Sequence, residues 1–77
     1  MSTEDKVKAI VIDQLRIKEA DFSMDLSVGD IPEWDSAAHV QLIMAIEDGF
    51  NLELDIADTI EIEDVFDIVA VLKKYDA

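Results

Sequence analysis

The chain has no cysteine, which excludes a disulfide framework, a thiolate metal site and an intrinsic thiol nucleophile. Any sulfur chemistry must therefore be imported. Long hydrophobic runs are also missing. No stretch approaches the ~20 apolar residues of a membrane span, and Met1-Ser2-Thr3-Glu4-Asp5 lacks the basic and apolar regions of a secretory signal. A soluble, cytoplasmic chain with no membrane partner is expected. Positive charge is scarce and confined to the ends, as Lys6, Lys8, Arg16, Lys18, Lys73 and Lys74. Fifteen of the nineteen acidic residues lie between Glu19 and Leu72 with no Lys or Arg among them, and the formal net charge is −13. Such a surface repels nucleic acid and anionic lipid and attracts basic patches on proteins. Glycine is too sparse for a phosphate loop, and no zinc spacing occurs. An EF-hand count begun at Asp21 meets Leu26 where glycine is needed and Pro32 where a bidentate Glu is needed.

What is present is periodic apolar sequence. At 77 residues the chain is expected to be one small domain, residues 1–77, near the lower size at which a single core suffices. Its 51% apolar content is placed in register, which argues against disorder. Ser2 and Asp5 have capping-box spacing, and Val7, Ile10, Val11 and Leu15 make one face of a first helix predicted to end around Lys18. Glu19 to Asp35 reads as a long polar loop punctuated by Gly29 and Pro32, with Phe22, Leu26, Val28 and Ile31 tacking it to the core.

A second helix, about Ser36 to Gly49, carries Val40, Leu42, Ile43, Met44, Ala45 and Ile46 on more than one face. It must be central to the fold, or show an apolar strip to a partner. Asn51 is a candidate left-handed cap, a short turn is predicted around Ile56 to Ile60, and Asp64 caps a last helix with Val65, Ile68, Val69 and Leu72 inward. The alternation in Glu53–Glu63 has strand period but no partner strand. The expected fold is all-α, a bundle of three longer helices and one short, with a long first loop.

The chemistry converges on Glu33-Trp34-Asp35-Ser36, where the long loop meets the second helix. Unpaired N–H groups and the dipole at a helix start favour a phosphate ester on the Ser36 hydroxyl. The alternative for Ser36 is an ordinary helix N-cap. The single histidine, His39, lies one turn further on, so a Ser-His dyad is conceivable. An oxyanion hole, an orienting third group and a cleft are hard to fit in so small a chain, so no enzyme is expected. His39 is expected at the surface or rim, in contact with whatever Ser36 carries.

Pro32-Glu33-Trp34-Asp35-Ser36, followed by Val40 and by Leu42-Ile43-Met44-Ala45-Ile46-Glu47-Asp48-Gly49-Phe50, resembles the acyl and peptidyl carrier protein family. In that family an Asp-Ser pair opens the second helix, and the likeness extends over the whole chain. The resemblance implies a four-helix carrier whose Ser36 is esterified with 4′-phosphopantetheine by a separate phosphopantetheinyl transferase, using coenzyme A. Acyl or aminoacyl groups would then travel as thioesters between loading enzymes and synthases. It assigns Asp35 to helix capping or to the transferase's metal. Ala37, Val40, Gln41, Met44, Glu47 and Asp48 become the partner-facing residues of a monomer. Fatty-acid-synthesis carriers usually follow the serine with Leu and then an acid, and keep carboxylates along the helix. Here Ala37, Ala38, His39, Gln41 and Gly49 occupy those positions, which suggests a specialised pathway. A housekeeping fatty acid carrier and an unmodified acidic helical adaptor are the alternatives.

Overall fold

The computed structural model describes residues 2–77. Four α-helices follow one another: α1 (Thr3–Leu15), α2 (Ser36–Phe50), α3 (Ile56–Ile60) and α4 (Val65–Lys74). Among the described residues there is no strand, only one isolated antiparallel bridge, Ser27 to Asp64. The expected all-α bundle is what forms.

Helix α1 starts where the capping pattern places it, with the Asp5 N–H donating to Ser2 Oγ at 3.1 Å. Val7, Val11 and Leu15 are buried, while Ile10 is half-buried. The helix stops at Leu15, short of the predicted end near Lys18. Arg16 turns left-handed (φ 56°), and the Ile17 N–H reaches back to the Ile12 carbonyl at 3.3 Å. This closure swings Ile17 into the core, where it is buried. Burial of one apolar side chain beyond the cap thus ends the helix, and Arg16 and Lys18 lie past its last turn.

The long loop packs as a unit. It contains one 3₁₀ turn, Glu19–Asp21, buries Leu26 and half-buries Phe22, Met24 and Ile31 against the core. Val28 departs from its predicted role, since its side chain is 41% exposed. Its backbone does the fastening instead, with Val28 N–H donating to Glu63 O at 2.9 Å, Val65 N–H to Leu26 O at 3.1 Å and Phe66 N–H to Met24 O at 3.0 Å. The loop is therefore laced to the start of α4 by main-chain hydrogen bonds. The largest fully buried side chain is Trp34, at the loop's end.

Helix α1 packs against both α2 and α4 and runs antiparallel to them. Near its start Lys6 Nζ sits 4.6 Å from the Phe50 ring centroid at the end of α2, and Glu4 pairs with Lys73 of α4 at 3.7 Å. The start of α2 therefore lies toward the Leu15 end of α1, where the loop joins it. Asn51 adopts the expected left-handed cap, with φ 53°. Gly49 lies inside α2, where a Cβ would approach Ile10 Cδ1 to 2.7 Å, so the small residue permits close approach of α1. Asp64 caps α4 by accepting the Asp67 N–H at 2.8 Å, and the Asp67 carboxylate accepts the Glu63 N–H at 3.0 Å. Short α3 is held from α4: the Tyr75 hydroxyl accepts the Asp55 N–H at 2.9 Å and donates to Asp58 at 2.7 Å, which Lys74 also contacts at 2.7 Å. The hydrogen bonds from Lys74 and Tyr75 hold the Asp58 carboxyl below its ordinary value.

Candidate functional site

The cap of α2 is Asp35, not Ser36. Asp35 is extended, and its Oδ1 accepts the Ala38 N–H at 2.9 Å while its carbonyl accepts the His39 N–H, also at 2.9 Å. Ser36 is the first helical residue. Among the described residues its exposed hydroxyl forms no hydrogen bond and the Ser36 and Ala37 N–H groups meet no acceptor. With the cap already supplied one residue earlier, the serine is relieved of capping and left at the surface. Unmet donors and an outward hydroxyl thus share one end of α2.

His39 does not engage Ser36. Its Nδ1 accepts the Trp34 Nε1–H at 3.0 Å, and the two rings stack with centroids 5.9 Å apart and 27° between planes. Burial, opposed by the Ile62 backbone carbonyl acting as an acceptor, lowers the His39 pKa below its ordinary value. Protonation at Nδ1 would also remove the acceptor that Trp34 requires. The imidazole is therefore neutral and turned inward, and no serine-histidine dyad forms. The expected rim position of His39 holds, but its hydrogen-bonding atoms face the protein.

Beside His39, a groove of about 260 Å³ runs between α2 and α3, lined by Val40, Ile43, Met44, Thr59 and Ile60 as well as His39. A second hollow of about 520 Å³ continues it past Ile43 and Thr59 toward Glu47 and Leu54. Val40 and Met44 of α2, with Ile56 and Ile60 of α3, are largely exposed around these openings. The apolar strip expected on the second helix is present, and α3 widens it.

Of the predicted partner-facing residues, Ala37, Val40, Gln41, Met44 and Asp48 are all exposed. Residues 37, 41, 44 and 48 are spaced to share one face. Glu47 differs: it is half-buried, and its carboxylate accepts the Leu54 N–H at 2.8 Å, so it ties α2 to the segment leading to α3. Trp34, Ile56 and Ile60 were not among the predicted site residues. For Trp34 a signal existed, since it and His39 occupy the two positions that a staple joins across a helix start. Among the described residues no group of three or more His, Asp or Glu side chains is placed to hold a metal, and no helix is long and apolar enough to cross a membrane.

These features define an acidic helical bundle in which an exposed, unbonded serine opens the helix that walls an apolar groove. No family model matches the chain, but curated relatives do. It is 35% identical over 74 residues to the acyl carrier protein of Solidesulfovibrio magneticus, covering 96% of this chain and 95% of the relative. The Chlamydia trachomatis acyl carrier protein is 33% identical over 75 residues, covering 97% of each chain. That of Campylobacter jejuni is 39% identical over 77 residues, covering 96% of this chain and all of the relative. The chain belongs to the acyl carrier protein family.

Proposed function

We propose that residues 1–77 act as one carrier domain, itself without catalytic activity, that holds acyl or aminoacyl groups as thioesters on a 4′-phosphopantetheine arm at Ser36. The observation that carries this reading is the exposed, unbonded Ser36 hydroxyl beside the unmet Ser36 and Ala37 N–H groups. A phosphodiester there meets donors and the positive end of the α2 dipole. The Asp35 carboxylate is engaged with Ala38, which moderates its repulsion of the phosphate. The arm would supply the thiol that the chain lacks, and the apolar groove beginning at His39 suits a hydrocarbon cargo.

The partners in this reading are a phosphopantetheinyl transferase and acyl-handling enzymes that dock on α2 and α3. Ala37 and Gln41 place no charge next to Ser36, and the exposed side chains lining the groove beyond His39 are Val40, Met44 and Ile60. Such a face favours partners with apolar docking sites over those that read a row of carboxylates. This supports a specialised pathway over housekeeping fatty acid synthesis. Loading of the holo protein by a fatty acid synthase malonyltransferase tests it, comparing wild type with Ala37→Glu/Gln41→Glu. Both positions are exposed, whereas Ala38 packs partly on the core. The double variant should load faster; wild-type loading already at the rate of a housekeeping carrier would refute the specialised role.

A further inference from the structure

Trp34 immediately precedes the cap residue Asp35, and His39 is the fourth residue of α2. A hydrophobic staple joins these two positions to set how a chain enters a helix. Here the staple adds a directional hydrogen bond, Trp34 Nε1–H to His39 Nδ1 at 3.0 Å, to the stacked rings. Capping does not require it, because Asp35 already accepts from Ala38 and His39 N–H already closes the first turn. A leucine at position 39 could staple by contact alone. It would leave the indole N–H of a fully buried side chain without an acceptor, a costly arrangement.

Trp34 is fixed on its other side as well. Its backbone N–H donates to Ile31 O at 3.2 Å and its carbonyl accepts from Gly29 N–H at 2.9 Å. Gly29 has φ 87°, a conformation that suits glycine and closes this turn. Residues 29–34 thus form a closed turn whose last side chain is clamped to α2, and Ser36 lies between the two clamped residues.

We propose that Trp34 and His39 are positioning residues for Ser36: their stacked, hydrogen-bonded pair fixes the backbone direction at the start of α2, and so the direction in which the Ser36 hydroxyl meets the transferase. This rests on the reading of Ser36 as the attachment site. In the transfer, Ser36 Oγ bonds to the phosphorus bearing pantetheine, and the pyrophosphate P–O bond of coenzyme A breaks. Adenosine 3′,5′-bisphosphate leaves with that electron pair, and the hydroxyl proton passes to a base of the transferase. An in-line displacement of this kind is sensitive to small misplacement of the attacking oxygen.

The test is steady-state phosphopantetheine transfer from coenzyme A to the whole chain by a broad-specificity transferase. Wild type is compared with His39→Leu, Trp34→Phe, the double variant and His39→Asn. His39→Leu and Trp34→Phe should each lower kcat about five- to tenfold and leave the KM for coenzyme A unchanged. The double variant should lose no more than the worse single variant, because both break the same contact. His39→Asn, whose Oδ1 can accept near the Nδ1 position, should recover most of the rate. Trp34 is the only tryptophan, so its emission reports the hydrogen bond in every variant that retains it.

Unchanged kcat in His39→Leu despite shifted Trp34 emission would overturn the positioning role, as would no recovery in His39→Asn. Should His39→Leu fail to fold, Trp34→Phe carries the test, since it keeps an aromatic ring and removes the donor. A wild-type chain that accepts no phosphopantetheine overturns the reading of Ser36 and the positioning role with it. A modified wild type with unaffected variants overturns positioning alone.

Discussion

Replacing Asp35 with alanine removes the acceptor of the Ala38 N–H and leaves α2 without its side-chain cap. Losing such a cap costs about 1 kcal/mol. Loss of a carboxylate at the positive end of the helix adds a few tenths, partly offset by relief of repulsion in a chain of charge −13. At roughly 2.1 cal/mol/K per residue, the unfolding entropy of a chain of this length turns 1 kcal/mol into a Tm drop of about 6 °C. Ser36→Ala is expected to behave differently, because Ser36 Oγ has no bond to lose and alanine is the better helix former. Its Tm should stay within about 3 °C of wild type. Asp35→Asn keeps an acceptor oxygen without the charge, so it should also remain within about 3 °C. Thermal melts of the three variants at fixed salt decide the matter. If Ser36→Ala falls as far as Asp35→Ala, the serine is bearing the cap and the division of labour between these neighbours is wrong.

Other perturbations follow from the same contacts. The folded pKa of His39 lies below its ordinary value of 6.5, so between the two values the native chain binds fewer protons than the unfolded one. The stability that His39 contributes is then complete above the ordinary value and lost as pH falls through the folded one. The wild-type Tm advantage over His39→Asn should accordingly shrink below about pH 6.5; an advantage that grows on acidification would contradict the neutral, Trp34-bonded ring. Among the described residues, ion pairs reach only Glu4, Glu19 and Asp58, so added salt should raise Tm by screening the unpaired acids, and a flat or falling trend would show that repulsion is minor. Gly49→Ala gains about 1 kcal/mol of helix propensity against displacement of the Ile10 terminal methyl. It should leave Tm within about 3 °C of wild type, and a fall of more than ~6 °C would mean the α1–α2 seam cannot adjust.

The elements legible from sequence were those with local causes. Ser2, Asp64 and Asn51 announce helix ends through side-chain or backbone chemistry carried by the residue itself, and each is where that chemistry puts it. The end of α1 was not legible, because it is decided by burial of Ile17 against residues distant in sequence. Nor was Val28, whose place follows from backbone pairing with Glu63 rather than from its hydrophobicity. At the site, the motif singled out Ser36 and offered Asp35 as a helix cap, but it could not say that the Ser36 hydroxyl would be left unbonded. Trp34 could have been read with His39 through staple spacing. The exposure of Ile56 and Ile60 depends on how α3 lies over α2, which spacing alone does not reveal.

Everything proposed for the α2 start depends on Ser36 being the single point at which a phosphopantetheine arm is attached. Intact mass after incubation with a broad-specificity transferase and coenzyme A, followed by fragmentation to locate the added group, tests it most directly. Wild type should gain one phosphopantetheine, borne by Ser36, and Ser36→Ala should gain none under identical conditions. No gain on the folded wild type, or a gain retained by Ser36→Ala, would contradict it.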